Sequence, residues 1–248
     1  MKITLFVRND IEMPLGKAAA QCAHALNAAC LDRMQAEQQE HFVILRPTEA
    51  MRAVAKEFEH LEVVIEYGDL HHIESNAEHP LATIKDRGRT VFNEPTVTVS
   101  WTTTGWGDIV PREERLPFNS GEIPYKQPIF INRSTQSLTE TTVMTEAARA
   151  STLTLLNELK HTDWNVISLE RESPFLEWLQ HGFGKTVVGC KKDSHYEKAT
   201  APLRELGNHC LVEYSSDDQG AIMAYTPLKS DLIEAYTRTK YTRLLDNL

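Results

Sequence analysis

Three side chains that could transfer a proton or bind an anion lie at helical spacing near the start of the chain. Lys17, Gln21 and His24 are separated by four and three residues, which puts them on one stripe of a helix. The helix is predicted to begin just before Lys17, where its free N–H groups and the positive end of its dipole suit a phosphate or a developing oxyanion. The exposed polar face of an ordinary helix would show the same spacing.

The other faces of this helix carry small side chains, which would let it lie close against a sheet. They are Ala18, Ala19, Cys22, Ala23 and Ala25. Cys22 could be read as a nucleophile, but a small buried packing residue is the simpler interpretation.

A second group of charged residues follows a predicted strand at residues 81–86. Asp86 ends this strand, at the position where α/β proteins place their ligands, and a carboxylate there can orient a water molecule or accept its proton. Lys85, Arg87 and Arg89 add three positive charges within five residues, as phosphate binding would require. A turn with salt-bridged arginines is the alternative.

The overall composition limits how the chain could contact nucleic acid. Its 248 residues include 26 basic and 35 acidic ones, which gives a formal net charge of −9. A protein that coats nucleic acid is normally basic, so contact with RNA would have to use a local patch. The four cysteines (Cys22, Cys30, Cys190 and Cys210) form no CxxC pair, which predicts reduced thiols and a cytoplasmic location.

Strand and helix patterns predict an α/β fold in which one order of elements occurs twice. In the first half we predict strands at 2–8, 41–47, 81–86 and 96–101 and helices from 17 to about 38 and from 48 to about 58. Residues 59–80 show no clear element, and 102–127 are predicted to be a linker. In the second half we predict strands at 127–132, 185–192, 209–214 and 220–227 and helices at about 139–159, 194–206 and 230 to the end.

Three sequence blocks of the first half together resemble the signature of type II peptidyl-tRNA hydrolases. The blocks are Val7-Arg8-Asn9-Asp10, then Met13-x-x-Gly16-Lys17-x-Ala19-Ala20-Gln21-Cys22-Ala23-His24-Ala25, and Asp86-x-Gly88-Arg89-Thr90 followed by Thr96-Val97-Thr98. The resemblance covers about residues 1–105, apart from a longer segment near 59–80. It implies an α/β domain with a mixed four-stranded sheet, no metal or other cofactor, and hydrolysis of the ester that joins a peptide to tRNA.

Carried over by position, the resemblance implies a catalytic group made of Lys17, Asp86 and Thr90. It implies that the substrate-binding residues are Gly16, Gln21, His24, Arg87, Arg89 and Thr98. Our hypothesis is that Asp86 positions a water molecule, and that Lys17 with the helix N-terminus holds the oxyanion or the terminal ribose–phosphate. Thr90 would supply a hydroxyl contact.

The chain also departs from the pattern of this family. Pro14 stands where the family usually has glycine, and Leu15 stands where the family often has a second lysine. Arg87 stands where the family usually has alanine. These differences predict a stiffer loop before the helix and a tRNA contact that has moved toward Arg87.

The second half is predicted to be a copy of the first that has lost its chemistry. A gapless shift of 124 residues places Thr141, Thr145 and Ala148 at the positions of Lys17, Gln21 and His24. Further along, around residues 211–220, the place of Asp86 falls near Ser216, and no Gly-Arg-Thr follows. We therefore expect a catalytic domain at 1–118 and a degenerate one at 123–248. An unrelated α/β domain is the alternative, because strand–helix order recurs widely.

The expected partner is peptidyl- or aminoacyl-tRNA, with a homodimer or an intramolecular pseudo-dimer as the assembly. Two other functions stay open: acyl transfer or deacylation on aminoacyl-tRNA, and a non-catalytic adaptor that binds tRNA or protein. Trp101 and Trp106 flank a threonine-rich loop and could either stack on RNA bases or anchor the core. Gly182-x-Gly184-Lys185 lacks the spacing of a phosphate-binding loop and is interpreted as a turn.

Overall fold

The computed structural model describes residues 1–88, 91–119, 121–135, 138–160, 164–206, 209–212 and 222–247. The first half contains β1 Lys2–Arg8, α1 Leu15–Leu31, β2 Met34–Gln38, β3 Phe42–Pro47, α2 Glu49–Lys56, β4 Glu62–Gly68, α3 Leu70–Ser75, β5 Thr83–Asp86 and β6 Thr96–Thr104. The second half contains β7 Tyr125–Asn132, α4 Glu140–Lys160, β8 Ile167–Glu170, α5 Pro174–Gln180, β9 Lys185–Cys190, α6 Asp193–Arg204, β10 His209–Val212, β11 Ile222–Tyr225, β12 Leu228–Lys229, α7 Ser230–Thr237 and β13 Arg243–Leu244. Within these ranges no helix combines the length and apolarity needed to cross a bilayer.

The first sheet is the mixed four-stranded sheet that the sequence predicted. Its strand order is β4-β1-β6-β5, with β1 and β4 parallel and β6 antiparallel to both β1 and β5. The carboxyl ends of β1 and β5 therefore lie at the same edge. Because α1 follows β1, the start of this helix is brought to the end of β5.

The second half contains a sheet with the same arrangement. Its order includes β9-β7-β11-β10, in which β7 and β9 are parallel and β11 is antiparallel to both β7 and β10. The helix α4 follows β7 as α1 follows β1. Strand β13 extends this sheet beyond β9. The same order and the same strand directions in both halves suggest an internal duplication.

The two halves share one hydrophobic core. The third sheet, β2-β3-β8, joins strands of both halves, and the helices α1 and α4 pack against each other. Helix α1 also contacts β6, β1 and β5 of its own sheet and β9 of the other sheet. As a result, 14 of its 17 residues are buried. A helix that is covered on nearly all sides cannot be amphipathic, which explains its run of alanines.

A buried polar cluster lies where α1 meets α4. Asn27 Nδ2 donates to Ser151 Oγ at 3.3 Å, and Thr152 Oγ1 donates to Asn27 Oδ1 at 2.7 Å. Ser151 in turn donates to Gln127 Oε1 at 2.6 Å. Asn27 and Ser151 are separated by 124 residues, the shift that aligns the two halves. Contact between residues that this shift makes equivalent is what a pseudo-two-fold axis between two similar units would produce.

Several sequence predictions were wrong in their details. The first helix ends at Leu31 rather than near residue 38, because buried Arg33 donates through Nη1 to the carbonyl of Ala29 and caps the helix end. The next residues form the edge strand β2. The segment 59–80 contains β4 and α3, and the last predicted helix ends at Thr237, before β13. Strand β8 and helix α5 were not predicted.

Replacing Asn27 by alanine is expected to lower the free energy of unfolding by about 1–3 kcal/mol, because the buried hydroxyl of Thr152 then loses its acceptor and that of Ser151 loses a donor. Denaturant unfolding, followed in both halves, should remain a single transition at a lower midpoint. Asn93→Ala changes an exposed asparagine and should stay within about 0.5 kcal/mol of the parent. Two separate transitions in the parent protein would contradict a shared core.

Candidate active site

Lys17 and Asp86 form an ion pair at the edge where α1 begins and β5 ends. Asp86 is buried, with 8% of its surface exposed, and Lys17 is partly exposed. Gln21, one turn along α1, donates from Nε2 to Asp86 Oδ2 at 3.0 Å. The structure therefore brings together three of the residues that the sequence singled out, from two segments about sixty-five residues apart.

The turn after β5 fixes the orientation of the Asp86 carboxylate. The backbone N–H of Gly88 donates to Asp86 Oδ1 at 2.9 Å. Gly88 has a φ of +71°, and a Cβ there would lie 2.6 Å from the carbonyl oxygen of Glu94, so only glycine fits. Among the described residues, Oδ2 has two donors and Oδ1 has one. Since a carboxylate offers about four acceptor sites, Oδ1 can accept a further hydrogen bond.

Thr98 lies behind the site rather than in it. The pairing of β5 with β6 shifts register between Ile84 and Lys85, which leaves Thr98 as the extra residue of a bulge. Thr98 is fully buried, and its hydroxyl donates to the carbonyl of Ile84 at 3.2 Å. A bulge changes the direction of the side chains that follow it, so this contact helps to aim Asp86 at α1.

The first N–H groups of α1 are occupied by the C-terminal segment of the chain. Leu15 N donates to the carbonyl of Asp246 at 3.1 Å, and Gly16 N donates to the carbonyl of Leu245 at 2.6 Å. A Cβ on Gly16 would lie 2.7 Å from that Leu245 oxygen. Gly16 thus admits the C-terminal segment, and the two donors expected to hold an oxyanion already have acceptors. The ammonium of Lys17 is then the positive group available at the start of α1.

His24 lies one turn beyond Gln21 and is partly buried. Burial lowers the pKa of its imidazole, and the positive charges of Lys185 and Lys17 lower it further. The ring packs edge-on against Phe183, with centroids 6.3 Å apart. Its Nε2 atom is buried and has no hydrogen-bond partner in the described part of the chain. The imidazole is therefore held neutral beside the Lys17–Asp86 pair.

Phe183 and Lys185, both from the second half, were missed by sequence reasoning. Lys185 Nζ donates to the carbonyl of Phe183 at 3.0 Å and lies 5.1 Å from the ring centroid of Trp178. Burial lowers the pKa of Lys185 well below its usual value. Phe183 has a φ of +48° and is the one non-glycine residue with positive φ in the described ranges. The Gly182–Lys185 segment, interpreted as a plain turn, is thus a strained turn packed on His24.

The basic residues around Asp86 differ in their exposure and in their contacts. Lys85 is exposed. Arg87 Nη1 donates to the carbonyl of Gly121 at 2.8 Å, and its guanidinium lies 5.3 Å from the ring centroid of Phe118. Arg89 and Thr90 lie outside the described residues. The positive charge of Arg87 is therefore directed from the end of β5 toward the linker between the halves.

Burial excludes two tryptophans as RNA-stacking residues and one cysteine as a nucleophile. Trp101 and Trp106 are 2% and 1% exposed, so they anchor the core and cannot stack on a bound base. Cys22 is completely buried, and burial raises the pKa of its thiol, which is the opposite of what a nucleophile needs. In the described residues, no group of three or more His, Cys, Asp or Glu side chains is placed to hold a metal ion.

An open cleft of about 730 Å³ adjoins the site. It lies between the loop that precedes α1 and the loop that precedes β6, and Thr96 on its wall is paired with Asp86 in the sheet. The lining residues are Ile11, Glu12, Pro14, Val91, Phe92, Asn93, Glu94 and Thr96. The cleft gives the Asp86 end of the sheet an approach from solvent.

The lowered pKa of His24 makes stability depend on pH. Below about pH 6.5 the unfolded chain binds a proton at His24 that the folded chain does not bind, so stability is expected to be complete above that pH and to fall as the pH decreases. Unfolding midpoints between about pH 5 and 8 should show a smaller decrease for His24→Gln than for the parent. His60→Gln, which changes an exposed histidine, should leave the slope unaltered. Equal slopes for parent and His24→Gln would refute a neutral His24.

Comparison with known proteins agrees with this geometry. Residues 1–108 match a protein-family model described as "Peptidyl-tRNA hydrolase PTH2". No curated protein matches the chain. The matched segment ends four residues after β6, and it contains the whole first sheet, Lys17, Gln21 and Asp86. The N-terminal part of the chain therefore carries a domain similar to the PTH2 peptidyl-tRNA hydrolases.

Proposed function

We propose that the N-terminal domain, residues 1–118, hydrolyses the ester bond of peptidyl-tRNA and releases free tRNA. The observation that carries this proposal is the Lys17–Asp86 ion pair, braced by Gln21, at the strand edge of a segment that matches the hydrolase family. A cation and a carboxylate in contact beside an open cleft are what ester hydrolysis by water requires.

Asp86 is assigned to the attacking water. Its Oδ1 atom accepts one hydrogen bond from Gly88 and can accept another from a water molecule. This contact orients the water oxygen toward the ester carbonyl carbon and favours removal of its proton as the new C–O bond forms.

Lys17 is assigned to the oxyanion. The negative charge that develops on the former carbonyl oxygen is stabilised by the ammonium, and the positive end of the helix dipole adds to its potential. When the tetrahedral intermediate collapses, the bond to the ribose oxygen breaks. That oxygen takes a proton, and the products are a peptide carboxylate and the tRNA hydroxyl.

The other residues support this group. Gln21 holds Asp86 Oδ2, so that Oδ1 faces the water. His24 lines the site beyond Gln21, and Gly16 admits the C-terminal segment at Leu245. Arg87 contacts tRNA from the linker side. By resemblance, Thr90 supplies a hydroxyl contact to the substrate, and Arg89 adds positive charge.

We infer that residues 123–248 form a degenerate copy of the hydrolase domain. The identical strand order and the meeting of Asn27 with Ser151 at the 124-residue shift support this inference. At the place of Lys17 stands Thr141, whose hydroxyl lies 3.3 Å from that of Tyr67. The intramolecular pseudo-dimer then keeps one active site and fills the other end with neutral side chains.

The test of the activity is hydrolysis of N-acetyl-aminoacyl-tRNA, followed by the appearance of free tRNA. Lys17→Ala and Asp86→Asn should each lower kcat by about 100-fold or more, as expected for groups that act on the reacting atoms. Lys229→Ala and Asp231→Asn change exposed residues of the same types and should retain full activity. Turnover within a few-fold of the parent in both site variants would reject the assignment.

Two further substrates separate the alternatives in the same assay. Cleavage of free aminoacyl-tRNA in preference to the N-acetylated form would indicate a deacylase. Transfer of the acyl group to an added amine would indicate a transferase. Binding of tRNA without single-turnover cleavage of either substrate would support the adaptor.

A further inference from the structure

An exposed aromatic ring is held in place next to the candidate active site. Phe118, in the linker between the halves, is 58% exposed. The guanidinium of Arg87 lies over its ring at 5.3 Å from the centroid. An exposed aromatic ring that is held in position by a cation offers a flat face on which a nucleic-acid base can stack.

The backbone that follows Phe118 is anchored to both halves of the chain, and its ring has a contact with the second half. Asn119 N donates to the carbonyl of Gln180 at 2.7 Å, and Arg87 donates to the carbonyl of Gly121 at 2.8 Å. The ring edge rests on Gly182, where a Cβ would lie 2.8 Å from the Cε2 atom of Phe118. Gly182 has a φ of +84°, so both its backbone and the space above it favour glycine.

The position of the Phe118 ring relative to the Asp86 carboxylate limits which ligand the ring can bind. Arg87 directly follows Asp86 in the chain, so the ring that its guanidinium covers lies near the Asp86 end of β5. Lys85, on the other side of Asp86, is exposed. An aromatic ring stacked with an arginine, beside an exposed lysine, is the combination that binds single-stranded nucleic acid: bases stack on the ring and phosphates pair with the cations.

We propose that Phe118 and Arg87 form a stacking platform for a base of the unpaired 3′ end of the tRNA. This inference rests on the proposed function, because the ester to be cut lies on that end. Phe118 lies in the linker, beyond the segment that matches the family, and its ring rests on Gly182 of the second half, so residues outside that segment would complete substrate binding. Trp101 and Trp106 cannot take this role because both are buried.

The test measures binding without catalysis, with deacylated tRNA as the probe. Affinities are measured for intact tRNA and for the same tRNA lacking its last three nucleotides, with the parent protein, Phe118→Ala and Phe118→Trp. Tyr67→Ala is the matched control, since Tyr67 is 46% exposed and lies at the pseudo-equivalent end of the molecule. Thermal unfolding of each variant shows that it is folded.

Loss of stacking with one base should weaken binding of intact tRNA by about 10-fold in Phe118→Ala. Binding of the shortened tRNA should not change in that variant, and Phe118→Trp should bind intact tRNA as the parent does. Tyr67→Ala should behave as the parent with both probes. Equal affinities of parent and Phe118→Ala for intact tRNA, or an equal loss with both probes, would overturn the platform.

The same data distinguish this inference from the proposed function. Cleavage of N-acetyl-aminoacyl-tRNA with no effect of Phe118→Ala on binding would reject the platform and leave the hydrolase. A 3′-end-dependent loss in Phe118→Ala without cleavage by the parent would reject the hydrolase and leave the platform. Absence of tRNA binding by the parent would reject both.

Discussion

The arrangement of the first domain depends on one charged contact, the ion pair of Lys17 with Asp86. A lysine in the first turn of a helix is unfavourable by itself, because the helix dipole repels it, and a buried carboxylate is unfavourable because it loses its water. Each charge offsets the cost of the other, and removing one would leave its partner uncompensated. The bulge at Thr98, the turn at Gly88 and the amide of Gln21 all act on Asp86, so the sheet edge is built to keep that carboxylate against the helix.

The helix that carries Lys17 is held by the second half of the chain. Its small side chains let two layers approach it, so it would expose apolar surface if only its own sheet were present. The C-terminal segment binds the first two N–H groups, β9 packs near Gly16, and Asn27 joins Ser151 at the pseudo-axis. The position of the Lys17 ammonium is therefore set by contacts from both halves, although the ammonium and its carboxylate both belong to the first half.

Sequence reasoning was most successful where the information is local. Spacings of four and three put Lys17, Gln21 and His24 on one stripe, and the general rule that ligands gather at strand ends pointed to Asp86. The contributions of Phe183, Lys185 and Leu245 depend on how two halves pack, which no short-range pattern encodes. The first helix was predicted too long because its end is set by buried Arg33, which donates to the carbonyl of Ala29. In the sequence, Arg33 looks like an ordinary polar residue of a continuing helix. Two sequence signals could have pointed to these contacts from the second half. They are the aromatic residue between Gly182 and Gly184 and the lysine that follows them.

If residues 123–248 are a degenerate copy, as we propose, the two ends of the pseudo-dimer differ in which constraints survive when catalysis is lost. At the second end, Thr141, Thr145 and Ala148 replace the reactive stripe, and the strand registers place Val63 where the first end has Lys185. The apolar positions of α4 are retained, because α4 still has to pack on α1 and on both sheets. A substitution at Thr141 or Thr145 costs little folding free energy. A substitution on the packing face of α4 would instead open the core that covers α1. Loss of catalytic residues from one copy is thus compatible with an intact site in the other, provided that the shared interface keeps its shape.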